Sequence, residues 1–359
     1  MAQNDKSYHE QKNIENTQKM REIVSGLPAF CRQFFRGIEE RSLPRTRLAY
    51  AYDLRVFFEF IKDSNPLYKN KEIKDFPFEI LENITASDIE EYMEYLTYYE
   101  KDGKEYTNDE RGKARKLSAL RSMYKYFHTH EMIEKNPALV VKTPKIHEKE
   151  IIRLDPDEVA NLLDAVESGE NLTPKQRSFH EKTKLRDVAL LTLLLGTGIR
   201  VSECVGLDLT DLDFKNNGMK IRRKGGYETV IYFGEEVEDA LLDYLDERDM
   251  MHPLAGHENA LFLSMQNKRL TVRAVENLVK KYASLITSIK RITPHKLRST
   301  YGTSLYRETG DIYLVADVLG HKDVNTTRRH YAAMEDERRR RAANAVKLRE
   351  YIRKVKKNF

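Results

Sequence analysis

The sequence predicts a mainly α-helical chain of two domains, the second carrying a small antiparallel sheet. Three observations predict it. From Leu27 onward apolar residues recur at spacings of three and four, the period of a helix with one buried face. Only 10 prolines and 16 glycines interrupt 359 residues, which suits helices and argues against a disordered or collagen-like chain. A charged, extended stretch from Val140 to Glu150 separates two helical regions, and the length is that of about two domains.

Composition narrows the class. Hydrophobic residues make up 40% and charged residues 33%, a soluble globular balance. No run approaches the ~20 apolar residues of a membrane span, and Met1 to Lys6 lacks the apolar core of a secretory signal. A cytoplasmic protein with no membrane partner is expected. Two cysteines, Cys31 and Cys204, make no disulfide framework and no paired C-x-x-C motif, so reduced core thiols are expected rather than a zinc site. The net charge is +5, but ten Lys/Arg against four Asp/Glu follow Tyr331. A basic end of this kind points to nucleic acid or an acidic partner surface.

Residues 1–26 are polar with sparse apolar positions and are expected as an N-terminal extension, a frayed or docking helix. Leu48, Ala51, Leu54, Phe58 and Ile61 then share one helical face, and Ser87-Asp88 opens a further helix. Between Asn108 and His130, Leu117, Leu120, Tyr124 and Phe127 form a stripe. Arg111, Arg115, Ser118, Ser122 and Lys125 fall opposite it. Long cations and short hydroxyls together suit a phosphate backbone; an ordinary solvated face is the alternative. Asn136-Pro137 ends this helix, and the domains are expected to divide as 27–145 and 146–359, with the boundary near 145–152.

The second domain opens at Asp155-Pro156-x-Glu158, a helix N-terminal signature. Leu185 to Leu195 is a buried helix ending at Gly196-Thr197-Gly198. Met219–Arg223 and Glu228–Phe233 read as strands of a hairpin turning at Lys224-Gly225-Gly226-Tyr227. Helices are expected at 235–249, 271–288, 294–309, 311–319 and about 325–350.

Chemistry concentrates at the ends of these elements. Thr293-Pro294 starts a helix whose first turn brings His295 and Arg298 onto one face, a plausible anion site beside outward backbone N–H groups. Arg200 follows the glycine break, with Glu203 one turn on to hold its guanidinium. Gly320-His321 closes a short apolar helix, and Tyr331 lies ten residues later. Each feature has a bland counterpart: a solvated pair, a surface ion pair, a glycine cap, a packing tyrosine.

Their order and local strings together resemble the tyrosine site-specific recombinases of the lambda-integrase and Xer type. The strings are Thr197-Gly198-Ile199-Arg200-Val201-Ser202-Glu203, Thr293-Pro294-His295-Lys296-Leu297-Arg298, and Leu319-Gly320-His321-Lys322-Asp323 leading to Thr326-Thr327-Arg328-Arg329-His330-Tyr331, with Lys224 on the hairpin. Ser299 departs from the pattern, since Xer-type proteins usually carry a second histidine there, and the first 26 residues and basic tail exceed a minimal Xer protein.

The resemblance implies a two-domain clamp on double-stranded DNA, a helical (SAM-like) core-binding domain joined to a mixed α+β catalytic domain, and a homo-tetramer on two DNA sites. It implies that Tyr331 attacks a scissile phosphate to give a 3′-phosphotyrosyl link and a 5′-hydroxyl. Arg200 and Arg298 would hold the non-bridging oxygens, and His295 would take the tyrosine proton. His321 would donate to the phosphate, Lys224 would protonate the departing oxygen, and Glu203 would support Arg200. Neither a cofactor, a metal nor a small-molecule substrate is implied. A type IB topoisomerase-like enzyme and a catalytically inactive DNA-binding regulator are the alternatives.

Overall fold

The computed structural model describes residues 7–147, 152–223, 225–321 and 323–324. Lys224, Lys322, Tyr331 and the helix expected over about 325–350 lie outside the described residues. The chain divides into two units, residues 1–149 and 150–359. It is mainly helical, with small antiparallel sheets, as the sequence predicts.

In the first unit, α1 (Tyr8–Ser25) starts at a reciprocal cap between Ser7 and Glu10. The helix docks along α3, and Met20 and Val24 are buried in the core it shares with the rest of the unit. The helix thus docks, one of the two forms expected of residues 1–26, and contributes Met20 and Val24 to the core. Next, α2 (Ala29–Gly37) buries Phe30, Cys31, Phe34 and Phe35. In α3 (Pro44–Ser64) proline opens the helix and Ala51, Leu54, Phe58 and Ile61 face inward at their helical spacing. After the single turn α4 (Ile80–Asn83) comes α5 (Ala86–Tyr95). Its cap is Thr85, two residues before the expected Ser87: the Thr85 N–H donates to Asp88 Oδ2 at 2.7 Å, and the Asp88 N–H donates to Thr85 Oγ1 at 3.3 Å.

A hairpin then appears in a region expected to be all-helical. Strands β1 (Tyr98–Lys101) and β2 (Lys104–Thr107) pair antiparallel, Tyr99 opposite Tyr106. Asp102 (φ 50°) and Gly103 (φ 69°) supply the two left-handed residues of a tight hairpin turn. In α6 (Glu110–Thr129) Leu117, Leu120, Tyr124 and Phe127 are all buried, matching the expected stripe.

The second unit begins with α7 (Pro156–Ser168), capped by Asp155 and Glu158, then α8 (Pro174–His180). Helix α9 (Lys184–Thr197) is buried without a break from Ala189 to Leu195, and α7, α11 and α13 pack on it. Its first turn is pinned by Asp187, 1% exposed, which accepts hydrogen bonds from Arg186, Thr183 and Tyr282. The short α10 (Val201–Cys204) leads to the three-stranded sheet β3 (Leu212–Asp213), β4 (Gly218–Arg222) and β5 (Glu228–Tyr232), paired in sequence order. Gly225 (φ 102°) and Gly226 (φ 86°) turn the expected hairpin. Then follow α11 (Glu235–Asp249), α12 (Val272–Ile286), α13 (Pro294–Thr309) and α14 (Ile312–Leu319).

Both cysteines are buried, and desolvation pushes their thiols well above the ordinary thiol range. Among the described residues no helix is long and apolar enough to cross a membrane.

Candidate active site

Everything at this site hangs on how three helices end or begin. Helix α9 stops at Gly198, whose φ of 62° is left-handed and whose missing side chain matters: a Cβ there would sit 2.3 Å from the Tyr301 ring. The chain can therefore turn sharply and place Arg200 as the first residue before α10. Arg200 donates its backbone N–H to Glu203 Oε2 at 2.7 Å and its Nη1 to Oε1 at 2.7 Å. Glu203 is only 4% exposed, so this carboxylate aims the guanidinium from beneath. Its Nη2 donates to the carbonyl oxygen of Gly320 at 3.3 Å.

Pro294 starts α13 in the first turn, where its missing N–H costs nothing. His295 is exposed at that N-terminus and Arg298 lies one turn inside, 5% exposed. A buried guanidinium needs acceptors. Arg298 donates Nη1 to the carbonyl of Gly198 at 2.5 Å and Nη2 to the carbonyl of Leu319. Helix α14 closes at Gly320, φ 60°, and the His321 N–H returns to the carbonyl of Ala316 at 2.8 Å, leaving this histidine half-buried beside the arginines' anchoring carbonyls.

A third arginine joins them. Arg223, just past β4, donates Nη2 to the carbonyl of Val318 at 2.7 Å and Nη1 to that of Asp317 at 3.4 Å. The carbonyls of residues 317, 318, 319 and 320 thus each meet a guanidinium. A helix C-terminus carries unpaired carbonyls and partial negative charge, which is why three cations gather at one helix end without electrostatic collapse. Burial lowers the Arg223 pKa from its ordinary value and Arg200 lowers it further, while Glu203 and Asp317 raise it. From sequence Arg223 stands out only as a lesser neighbour of Lys224. Its partners lie 94 and 95 residues away, and no local pattern announces them.

Gly320 is required twice over. Besides its left-handed φ, a Cβ would fall 1.2 Å from Nη1 of Arg223. Gly320→Ala is expected to lower unfolding stability by about 1–2 kcal/mol for the conformation alone and to expel the Arg223 guanidinium. Denaturant unfolding of the variant checks this; unaltered stability would mean that the backbone relaxes out of the left-handed region.

The structure brings Arg200, Glu203, Arg298 and His321 together around the end of α14, and sets His295 on the same helix as Arg298. Lys224 and Tyr331 lie outside the described residues. In the first unit Arg111, Arg115 and Lys125 are all exposed on α6. Arg115 is also the partner of Asp53, a carboxylate 2% exposed whose pKa burial raises and Arg115 and Lys116 lower. Part of its charge is therefore already matched.

Permanently charged, forked donors around a dipolar helix end suit a tetrahedral anion with several oxygens. The chain belongs to the phage integrase family, whose model matches residues 152–338, and it is a site-specific tyrosine recombinase. It is 33% identical over 323 residues to the tyrosine recombinase XerC of Caldanaerobacter subterraneus subsp. tengcongensis, covering 87% of this chain and 84% of that one. It is 30% identical over 345 residues to the tyrosine recombinase XerS of Lactococcus lactis subsp. cremoris, covering 88% and 93%. Among solved structures it shares the fold of the XerH site-specific recombinase in a post-cleavage complex with a palindromic difH substrate, with a TM-score of 0.64, 20% identity and coverage of 95% and 90%.

Proposed function

We propose that this recombinase cuts and rejoins double-stranded DNA at a specific site through a 3′-phosphotyrosyl link to Tyr331, for integration and excision or for resolution of chromosome dimers. The observation that carries the reading is the convergence of Arg200 and Arg298 on the end of α14, next to His321. Solved relatives add support: the XerH structure holds its difH substrate, and a lambda integrase fragment of the same fold is bound to a core site.

The Tyr331 oxygen attacks phosphorus, the P–O5′ bond breaks, and the tyrosine proton passes to the imidazole of His295 acting as general base. Charge gathers on the non-bridging oxygens. Arg200 and Arg298 meet it with paired N–H donors held in place beforehand, so little reorganisation is needed at the transition state. His321 adds a further donor, and Lys224 delivers a proton to the departing 5′-oxygen. Glu203 acts through Arg200, fixing its orientation. Residues 27–145 form the core-binding domain, with the α6 face bearing Arg111, Arg115 and Lys125 against the phosphate backbone. Residues 146–359 form the catalytic domain, the two clamp a duplex, and four protomers act on two sites.

The test is covalent trapping. A duplex carrying the site that the wild-type protein selects from random DNA, nicked beside the scissile phosphate, should leave a denaturation-resistant protein–DNA adduct. Lys224→Ala should slow this step by about 10²–10⁴-fold, the usual share of a general acid. A substrate with sulfur at the 5′-bridging position leaves without protonation and should restore most of the rate. Absence of any adduct from the wild-type protein would sink the reading; failure of sulfur to rescue Lys224→Ala would remove that residue as the acid.

A further inference from the structure

We infer that Arg223 is a positioning residue for strand cleavage: it tethers the hairpin tip that follows it to the C-terminal end of α14, and so sets where residue 224 meets the scissile phosphate. The inference rests on the reading of Lys224 as the acid given above.

Two sets of bonds from one residue make the tether. The main chain of Arg223 brackets the tip: its N–H donates to the carbonyl of Tyr227 at 2.7 Å, and its carbonyl accepts from the N–H of Gly226 at 3.0 Å. Its side chain leaves the hairpin and grips the carbonyls of Asp317 and Val318. Those two carbonyls directly precede Leu319 and Gly320, which receive Arg298 and Arg200. The hairpin tip and the two arginines proposed to bind phosphate are thereby referred to one rigid helix end. Two adjacent carbonyls match the fork of a guanidinium, where a single ammonium reaches one of them.

Fold stability does not by itself account for an arginine here. Its Nε is buried with no acceptor among the described residues, an arrangement that costs stability rather than adding to it. Nor is the position a loose surface contact. Gly320 leaves room for the guanidinium where any other residue would place a Cβ. A lysine on an untethered hairpin would sample many positions, and a displacement of about 1 Å costs reaction rate on the order of 10²-fold.

The experiment measures the rate of covalent adduct formation on the nicked duplex with bridging oxygen or bridging sulfur. The proteins compared are wild type, Arg223→Ala, Arg223→Lys, Lys224→Ala and the double variant of the two alanines. If the tether delivers the lysine, Arg223→Ala is slower by about 10²-fold with oxygen and returns to within a few-fold of wild type with sulfur. Arg223→Lys falls between the two, and the double variant is no slower than Lys224→Ala alone. A faster or unchanged rate in Arg223→Ala overturns the inference, as does a defect that sulfur leaves in place or effects that multiply in the double variant. If Arg223→Ala does not fold, the sulfur-to-oxygen ratio of Arg223→Lys decides in the same way. Failure of the reading beneath it has a separate signature: Lys224→Ala itself is then not rescued by sulfur, and the inference falls with it.

Discussion

Replacement of Tyr331 by phenylalanine is expected to abolish covalent attachment to a nicked duplex while leaving DNA binding nearly intact. The change removes one oxygen, the proposed nucleophile, and keeps the ring. Without an attacking oxygen the phosphodiester has only water, and the arginines alone do not position water in line. The loss is therefore total within assay limits, whereas variants of supporting groups retain measurable cleavage. Binding draws mostly on phosphate contacts spread along the duplex, and a tyrosine hydroxyl adds little to it. Adduct formation is read on denaturing gels and binding by mobility shift. A persisting adduct would assign the nucleophile elsewhere, with Tyr301 and Tyr306 on α13 the first to examine; burial raises the pKa of Tyr301, which argues against it.

Arg298→Ala is expected to damage both chemistry and fold. Removing one preorganised donor to a developing oxyanion costs about 10²–10³-fold in rate, and a guanidinium presents more than one. The same truncation strips the carbonyls of Gly198 and Leu319 of their partner. A buried polar group left unsatisfied costs about 1–3 kcal/mol. Cleavage on the sulfur substrate separates this residue from Lys224: the leaving group no longer needs a proton, but the charge on the non-bridging oxygens is unaltered, so Arg298→Ala stays slow. Arg298→Lys keeps the charge, loses the fork and should recover only part of either effect. Rescue by sulfur, or an unfolding curve that matches the wild type, would count against this account.

Much of the site was legible because its parts sit at helix ends, where the chemistry is local. Gly198 and Gly320 mark left-handed caps, and Thr293-Pro294 marks a start. Arg200, Arg298 and His321 follow at short fixed distances from those marks. The stripes on α3 and α6 were legible for the same reason of short period. The rest is either a weak local signal beside a stronger one or non-local. The hairpin of β1 and β2 turns at Asp102-Gly103, a two-residue local signal lying between two strongly helical flanks. Thr85 caps α5, while Ser87-Asp88 offers similar capping chemistry two residues on. The burial of α1 depends on α3 being there to receive Met20 and Val24, which polar composition does not report. Arg223 depends on a helix nearly a hundred residues distant, and its sequence neighbours say nothing of it.

The anchoring of three guanidiniums on main-chain carbonyls has an electrical consequence. A carbonyl dipole orients a cation without neutralising it, whereas a carboxylate does both. Among the described residues, the hydrogen-bond acceptors of Arg200, Arg223 and Arg298 are main-chain carbonyls together with the Glu203 carboxylate. Carbonyl anchoring leaves the formal charge of each guanidinium in place, so the cluster projects an attractive potential that an incoming polyanion meets before any contact forms. Such a potential fades over a Debye length, about 8 Å at physiological ionic strength. Dissolved salt is then a direct rival for the site, and it acts on capture, before the first bond to the tyrosine is made.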